Sequence, residues 1–220
     1  DGCDCTENDG VLEEILFSCC FLQQLVMERV FLTPKMVDSV CKNGKTLQTL
    51  NLNGSFLDES NMKEIIKCCQ ELKEVDLAQV TDAKHTNYEY TGEYYELLAE
   101  NIAPKVEMLN LGGTAFMDDE VKVILHRCKK IKVLNLEDTW ITDDSINNIR
   151  KLLNLTLEEL SLSVGLSNDF LSFNGFLELK DMPRLKILNL LFEDVDGEKI
   201  QNLRRHLSHL MVKVSSPFGD

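Results

Sequence analysis

The sequence predicts an α/β solenoid in which a curved parallel sheet forms the concave face and helices form the convex face. An L-x-x-L-x-L pattern recurs along the chain, and its first positions are separated by 25, 25, 34, 25, 26 and 28 residues. Each pattern alternates as a strand does and is followed by apolar residues at helical spacing. This period is typical of leucine-rich repeats. We predict a single leucine-rich-repeat domain over residues 1–220, with about seven repeats, a partial N-terminal repeat and a C-terminal capping strand.

Three apolar anchors define the predicted strand of each repeat. Because side chains alternate across a strand, the last two anchors face the interior and the residue between them faces the concave surface. The anchors are Leu22/Leu25/Met27, Leu47/Leu50/Leu52, Leu72/Val75/Leu77, Val106/Leu109/Leu111, Ile131/Leu134/Leu136, Leu157/Leu160/Leu162 and Leu185/Leu188/Leu190.

The second half of each repeat predicts a helix. Thr33 is expected to be an N-cap, with Pro34 at the first helical position. Asp58, Asp118 and Thr142 occupy comparable places in later repeats and are expected to begin their helices. These signals place the helices between successive strands, on the convex side.

The two ends of the chain fit the same scheme. The stretch DGVLEEILFSCC predicts the helix of an incomplete first repeat, and the alternating Leu210, Val212 and Val214 predict a last strand. An uncovered first repeat would expose apolar surface, so we expect another segment before Asp1.

The eight cysteines raise the question of disulfides or metal ligands. Cys19, Cys69 and Cys128 each stand three residues before a first anchor, where a helix end faces the next strand, so we predict that they fill the core. The adjacent pairs Cys19–Cys20 and Cys68–Cys69 could close only strained rings, and no C-x-x-C spacing occurs. We expect free thiols in a reducing compartment. The N-terminal cysteines near Asp1 lie outside the repeat frame, and no role is predicted for them.

Charge and motifs narrow the function classes. The formal net charge of −14 argues against nucleic acid or an anionic membrane as a partner. No stretch approaches the roughly 20 apolar residues of a membrane helix. Neither G-x-S-x-G nor H-E-x-x-H occurs, and the NGKT at Asn43–Thr46 lacks the earlier glycine of a phosphate loop. We expect no enzyme, no catalytic or metal-binding residue and no cofactor.

The predicted concave surface is polar. The residues between the last two anchors would form its central row, and asparagine side chains there offer both hydrogen-bond donors and acceptors. Such a surface suits a protein substrate better than an apolar ligand. The polar members that we predict to bind protein are Asn51, Asp76, Asn110, Asn135, Ser161 and Asn189.

The 34-residue spacing contains an insertion that holds all four tyrosines of the chain. Insertions in repeat proteins map to loops on one face, often the binding face, and tyrosine is common in interfaces. We predict that Tyr88, Tyr90 and Tyr94 contact a partner, whereas Tyr95 is expected to face the core. Trp140, just after the strand that ends at Leu136, is predicted to lie on the same rim, with core packing as the alternative.

One stretch carries a family resemblance. LNLEDTWITDDSINNI (Leu134–Ile149) resembles the cysteine-containing leucine-rich repeats of F-box proteins, which read C-x-x-L-x-x-L-x-L-x-x-C-x-x-I-T-D-x-x-L. Thr139, Thr114 and Ser55 stand where that pattern has its second cysteine. FMDDEV (Phe116–Val121) and FLDESNM (Phe56–Met62) are looser copies, and the similarity extends over nearly the whole chain.

The resemblance implies a function. F-box proteins recruit substrates to a cullin–RING ubiquitin ligase of the SCF type: the F-box docks the linker subunit, and the repeats hold the substrate. No F-box lies within these residues, so we expect it before Asp1 and expect linker binding only through it. Ala115 stands near the place where one member has a basic residue that assists substrate binding.

Two alternatives remain open from the sequence. The repeats could form a scaffold or adaptor without a ligase role, or a secreted recognition protein. The resemblance and the expected free thiols favour a cytoplasmic or nuclear protein in the ubiquitin conjugation pathway.

Overall fold

The computed structural model describes residues 9–81, 93–164, 171–192 and 197–216. Within these ranges, parallel strands form one sheet whose spatial order follows the chain from first to last. A parallel sheet built in chain order is the arrangement of a repeat solenoid. The strands are β1 Gln24–Val26, β2 Thr49–Asn51, β3 Glu74–Asp76, β4 Met108–Asn110, β5 Val133–Leu136, β6 Glu159–Val164, β7 Ile187–Phe192 and β8 Met211–Ser215.

A helix connects each strand to the next, so helices and strands alternate through the described residues. The predicted fold class is confirmed, as are the helix before the first strand and the last strand. The helices are α1 Asp9–Ser18, α2 Pro34–Lys42, α3 Glu59–Cys68, α4 Glu93–Asn101, α5 Asp118–Arg127, α6 Asp143–Leu153, α7 Phe173–Leu177 and α8 Gly197–His206, with a 3₁₀ helix at Glu178–Asp181. In the part of the chain that the structure describes, no helix has the length and apolarity to cross a bilayer.

The core runs unbroken along the solenoid between the sheet and the helices. Leu50, Val75, Leu109 and Leu134 are almost fully buried, and the continuous apolar cluster extends from Leu16 to Val212. Each buried leucine or valine stabilises the fold by about 1.5–3 kcal/mol relative to an exposed one. The anchors identified in the sequence are therefore the residues that hold the repeats together.

Side-chain caps begin several helices where the sequence predicts them. Thr33 accepts a hydrogen bond from Met36 N, Asp58 accepts one from Asn61 N, and Thr142 accepts one from Asp144 N. Each cap satisfies one of the backbone donors that a helix leaves unpaired at its start.

Asp118 begins α5, as expected, but it does not cap this helix. Met117 is the N-cap of α5, and the Asp118 carboxylate instead reaches the next repeat. It accepts hydrogen bonds from Thr142 N at 3.0 Å, Thr142 Oγ1 at 2.7 Å and Ser145 Oγ at 2.5 Å. Asp143 makes the same kind of link to Ser172, from N at 2.8 Å and from Oγ at 2.5 Å. These carboxylates fix the register of one helix start against the next.

The cysteines divide into two groups. Cys69 and Cys128 are 0% and 5% exposed, and burial raises the pKa of each thiol to about 12, so their predicted core role is confirmed. Cys19 is only half-buried, because it lies at the end of the first helix, where the core begins.

The expectation that all thiols are free is wrong. Cys41 and Cys68 form a disulfide, with their Cα atoms 5.2 Å apart. The two residues lie at the ends of the neighbouring helices α2 and α3, far apart in the sequence. The expectation rested only on adjacent cysteines and C-x-x-C spacing, so it did not include this pair. The N-terminal Cys3 and Cys5 lie outside the described residues.

Candidate protein-binding surface

The polar residues predicted for the concave face lie in one row across the sheet, called here the concave row. Strand pairing sets each member beside the next, as in the pairs Asn51–Asp76 and Asn110–Asn135. Neighbouring strands are roughly 4.8 Å apart, so the side chains are close enough to bond to one another. The members from β2 to β8 are Asn51, Asp76, Asn110, Asn135, Ser161, Asn189 and Lys213.

Much of the hydrogen-bonding capacity of the concave row is used within the protein. The side-chain oxygens of Asn51, Asp76, Asn110 and Asn135 each accept a hydrogen bond from the backbone N–H two residues later, at 2.7–3.0 Å. These bonds fix the side chains where the chain leaves the sheet. The side-chain oxygens that were expected to accept hydrogen bonds from a ligand therefore already accept them from the backbone.

Amide groups of the row donate to neighbouring carboxylates. Asn51 Nδ2 donates to Glu28 at 2.7 Å, and Asn110 Nδ2 donates to Asp76 at 3.0 Å. Asn189 Nδ2 bonds both Glu159, at 2.8 Å, and Ser161 Oγ, at 3.0 Å. The row is thus a rigid, preorganised surface on which carboxylates hold the amides in place.

Glu137 adds a carboxyl group beside this row. Burial raises its pKa, while the hydrogen bond from Asn135 opposes this rise and the nearby Asp138 strengthens it. Partial burial next to another acid makes this position more favourable for a cationic partner group than for an anionic one.

The loops that follow the strands form a second array, called here the upper rim. At one position of five successive loops the backbone is left-handed, with φ between 53° and 67°. Arg29, Gln79 and Asp138 alternate there with Gly54 and Gly113. A Cβ on Gly54 would approach Arg29 Cγ to 3.0 Å, and one on Gly113 would approach Gln79 Cγ to 2.7 Å. Each glycine leaves space for the long side chain of the repeat before it.

Two positions further along the loops, aromatic side chains stand on either side of small ones. Phe56 and Trp140 are 43% and 60% exposed. They occupy the same place in repeats that are three strands apart, which corresponds to about 14 Å. Thr81 and Ala115 occupy this place in the two intervening repeats. The aromatic rings thus form the walls of a depression, and small side chains form its floor.

This depression is a groove of about 740 Å³, called here the upper-rim groove. Its walls are mainly apolar, with one cation and one carboxylate from opposite ends of the left-handed array. Its lining residues are Arg29, Gly54, Phe56, Gln79, Thr81, Gly113, Thr114, Ala115, Asp138 and Trp140.

The aromatic residues predicted to bind a partner differ in their exposure. Trp140 is exposed and lines the groove, so its alternative role in the core is not adopted. Tyr94 is only 3% exposed and stacks on Phe116, with ring centroids 5.6 Å apart. Its assignment to the binding surface is wrong, because α4 turns this ring into the core. Tyr95 is half-buried against the same core, as expected. Tyr88 and Tyr90 lie outside the described residues.

The opposite edge of the sheet, called here the lower rim, carries alternating charges just before the strands. Lys132 pairs with Glu107 at 2.7 Å, and Lys186 pairs with Glu158 at 2.5 Å. The hydrogen bond and charge of Lys132 lower the pKa of Glu107, and those of Lys186 lower the pKa of Glu158. The lower-rim charges therefore satisfy each other from one repeat to the next.

One feature of the sequence corresponds to the groove and was not among the predicted site residues. Phe56 and Trp140 both stand four residues after the last anchor of their repeats, and Phe31 occupies the same place in an earlier repeat and is also exposed. The residues at this position of successive repeats therefore form an exposed aromatic array.

In the described residues, no cluster of three or more potential ligands is arranged to hold a metal ion.

A family model described as the SKP2 LRR domain matches residues 1–219. This match confirms the resemblance to the cysteine-containing repeats of F-box proteins, and in particular to the S-phase kinase-associated F-box protein.

Solved structures of two other proteins match this chain to different extents. A chain in the crystal structure of the Rad7 and Elc1 complex in yeast is similar over 93% of this chain and 66% of that chain, with a TM-score of 0.52 and 14% identity. A chain of leiomodin-1 actin-binding site 2 matches over 67% of this chain and 86% of that chain, with a TM-score of 0.44 and 20% identity. At 14% identity the Rad7–Elc1 match supports the fold alone, and the present residues span about two thirds of that chain.

Proposed function

Because this chain belongs to the SKP2 LRR domain family, we propose that it is the substrate-binding region of an F-box subunit in a cullin–RING ubiquitin ligase. The observation that carries the proposal is the family match over residues 1–219. In this role the repeats hold a protein substrate near the ligase, and the transfer of ubiquitin is catalysed elsewhere in the assembly.

The upper-rim groove is the part of the surface best suited to anchor a substrate. It combines two exposed aromatic walls with a floor of small residues, so apolar side chains of a partner segment lying between Phe56 and Trp140 would each pack against one of the two rings. Trp140 is a typical anchor residue, because its large ring gains contact area at a small entropic cost.

The concave row would act beside the groove as a polar guide. Its amides and carboxylates are already held by internal hydrogen bonds, so little side-chain entropy is lost when a partner binds. The carboxylates of Glu28, Asp76 and Glu137 favour a partner segment that carries lysine or arginine beside its apolar anchor.

A pull-down from cell lysate with the full-length gene product tests the proposal. Wild type would be compared with the double variant Phe56→Ala/Trp140→Ala, and Lys132→Ala/Lys186→Ala on the lower rim provides the control. We expect linker and cullin to co-purify with all three, and substrate polypeptides to be lost only from the upper-rim variant.

The other outcomes separate the two parts of the proposal. If neither linker nor cullin is recovered with wild type, the ligase assignment is wrong and the repeats belong to a scaffold. If linker and cullin are recovered but all three proteins retain the same further polypeptides, the ligase assignment stands and the groove is not the substrate site.

A further inference from the structure

The cysteines at the ends of α2 and α3 pack only against the edge of the core. The repeating cysteine position, three residues before the first anchor, is taken in this part of the chain by Gly44 and Cys69. Cys69 fills the core and is fully buried. Cys41 and Cys68 stand outside the repeating position and are only half-buried.

The fold itself brings these two residues together. The backbone after α2 lies directly on the end of α3, since a Cβ on Gly44 would collide with the carbonyl oxygen of Cys68. Only glycine permits this approach. It places the Cα atoms of Cys41 and Cys68 5.2 Å apart, within the range that a disulfide requires, although the residues are separated by 27 positions.

A third sulfur lies beside the bond but is poorly suited to attack it. The Cys69 sulfur is 3.6 Å from that of Cys68. Burial raises the pKa of the Cys69 thiol to about 12, so it is protonated at neutral pH, whereas exchange requires a thiolate. The bond is therefore protected from internal exchange and responds to thiols from outside.

Such a thiol has a route to Cys68. A groove of about 470 Å³ on the helical side is lined by Ser60, Lys63, Glu64, Lys67 and Cys68. Lys63 is held by an ion pair to Glu59 at 3.0 Å, while Lys67 is exposed at the groove wall. A small thiol that carries carboxylates, such as glutathione, fits the size of this groove, where the exposed Lys67 offers a cation to one carboxylate and Glu64 leaves the groove only weakly charged overall.

We infer that Cys41 and Cys68 form a reversible disulfide between α2 and α3 that a small acidic thiol opens by attack on Cys68. In the first step the thiolate of glutathione bonds to Cys68 Sγ, the Cys41–Cys68 bond breaks, and Cys41 leaves as a thiolate that takes a proton from water. A second glutathione thiolate then attacks the glutathione sulfur of the mixed disulfide. The products are glutathione disulfide and two protein thiols, and glutathione disulfide drives the reverse reaction.

This bond constrains the first repeats without blocking the upper-rim groove. Cys41 and Cys68 lie at the C-terminal ends of their helices, whereas the upper rim lies where the chain approaches the helix starts. We therefore expect the redox state to change the stability of α2 and α3, independently of the proposed ligase role.

Equilibration of the whole chain in glutathione buffers of graded redox ratio tests the inference. Mass spectrometry after alkylation in denaturant should find a Cys41–Cys68 cross-link that opens cooperatively, with glutathione on Cys68 rather than Cys41 in the intermediate. Oxidation should raise Tm by roughly 5–10 °C, and Cys41→Ser/Cys68→Ser should abolish this shift. Cys19→Ser/Cys20→Ser is the matched control and should keep it.

The route is tested by charge reversal. Lys67→Glu should slow opening by glutathione about threefold and accelerate opening by the cationic thiol cysteamine. Lys151→Glu, an exposed change on α6, should alter neither rate. Absence of the cross-link at every ratio would overturn the inference, and glutathione on Cys41 or equal rates for Lys67→Glu and wild type would overturn the assigned route.

Discussion

The two rims of the concave sheet use their side chains in opposite ways. On the lower rim, Lys132 and Lys186 are paired with the carboxylates of the preceding repeat. On the upper rim, Phe56 and Trp140 are exposed, and Thr81 and Ala115 between them are too small to fill the space. The same repeat thus produces one edge that is satisfied within the protein and one that is available to a partner.

The difference arises from the chemistry of each column of residues. Charges that alternate along a ladder neutralise each other from strand to strand, at little gain in stability because they are exposed. Aromatic residues in a column separated by small ones leave an open groove that a side chain of a partner can enter. A repeat protein can therefore place its binding site by varying a single column while the anchors stay constant.

The largest effect should follow from removal of the aromatic walls. Phe56→Ala/Trp140→Ala should weaken the binding of a recovered substrate at least about 30-fold, because large aromatic anchors in interfaces contribute roughly 2 kcal/mol or more. Isothermal titration of the purified pair measures it. The lower-rim control Lys132→Ala/Lys186→Ala should bind within about twofold of wild type, and an equal loss in both variants would remove the distinction between the rims.

The left-handed array of the upper rim should resist a side chain at its glycines. Gly113→Ala forces a Cβ towards Gln79 Cγ, at 2.7 Å, in a conformation with φ of 67°. We expect a loss of about 2 kcal/mol in the free energy of unfolding by urea titration. Gly10→Ala in α1, where no atom lies within 4 Å, is the control and should not destabilise the protein. Gln79→Ala should restore part of the loss, and a fully stable Gly113→Ala would contradict the packing argument.

The Asp118 carboxylate, which lies near the upper rim, should make the stability of the folded protein depend on pH. Burial raises its pKa, but the hydrogen bonds from Ser145 and Thr142 outweigh this effect and the pKa is lowered. The ionised carboxylate therefore stabilises the folded state above its unfolded pKa of about 3.9, and this contribution is lost as pH falls through the lower folded pKa. Asp118→Ala should cost about 1.5 kcal/mol at pH 7.

The difference between wild type and Asp118→Ala should shrink as pH falls below about 4. Thermal unfolding over a pH series measures it. Asp119→Ala, one residue along the same helix turn, is the control and should change stability little. A difference that stays constant down to about pH 2 would show that the carboxylate charge does not matter.

The smallest effect is expected on the lower rim. In a double-mutant cycle of Glu107→Ala and Lys132→Ala, the coupling should change Tm by less than about 2 °C and should vanish in molar salt, because the pair is exposed. A coupling that is large and independent of salt would show that the lower rim is a structural clamp rather than a solvated ladder.

Periodicity made the fold predictable, whereas contacts between repeats were harder to read from the sequence. Leu50, Val75 and Leu109 predict the strands in which they lie, because burial of one face of a strand requires apolar residues at fixed spacing. The rings of Tyr94 and Phe116 stack on each other although they are 22 residues apart in the chain, so local spacing did not assign Tyr94 to the core.

The candidate site was predictable only in part for the same reason. Asn51 and Asn110 were placed correctly on the concave face, but their internal hydrogen bonds depend on Glu28 and Asp76 in neighbouring strands. Trp140 was predicted at the rim because it follows the strand that ends at Leu136, whereas Phe56 resembles any other apolar residue until the repeats are aligned column by column.

Site-specific photo-cross-linking from the full-length gene product in cells tests the central claim most directly. A benzophenone amino acid would replace Trp140 in one sample and Lys132 in the other. We predict that position 140 captures polypeptides that accumulate when cullin–RING activity is inhibited, and that position 132 captures few of them. Equal capture at both positions, or capture at 140 only of polypeptides whose levels do not respond to the inhibition, would contradict the account.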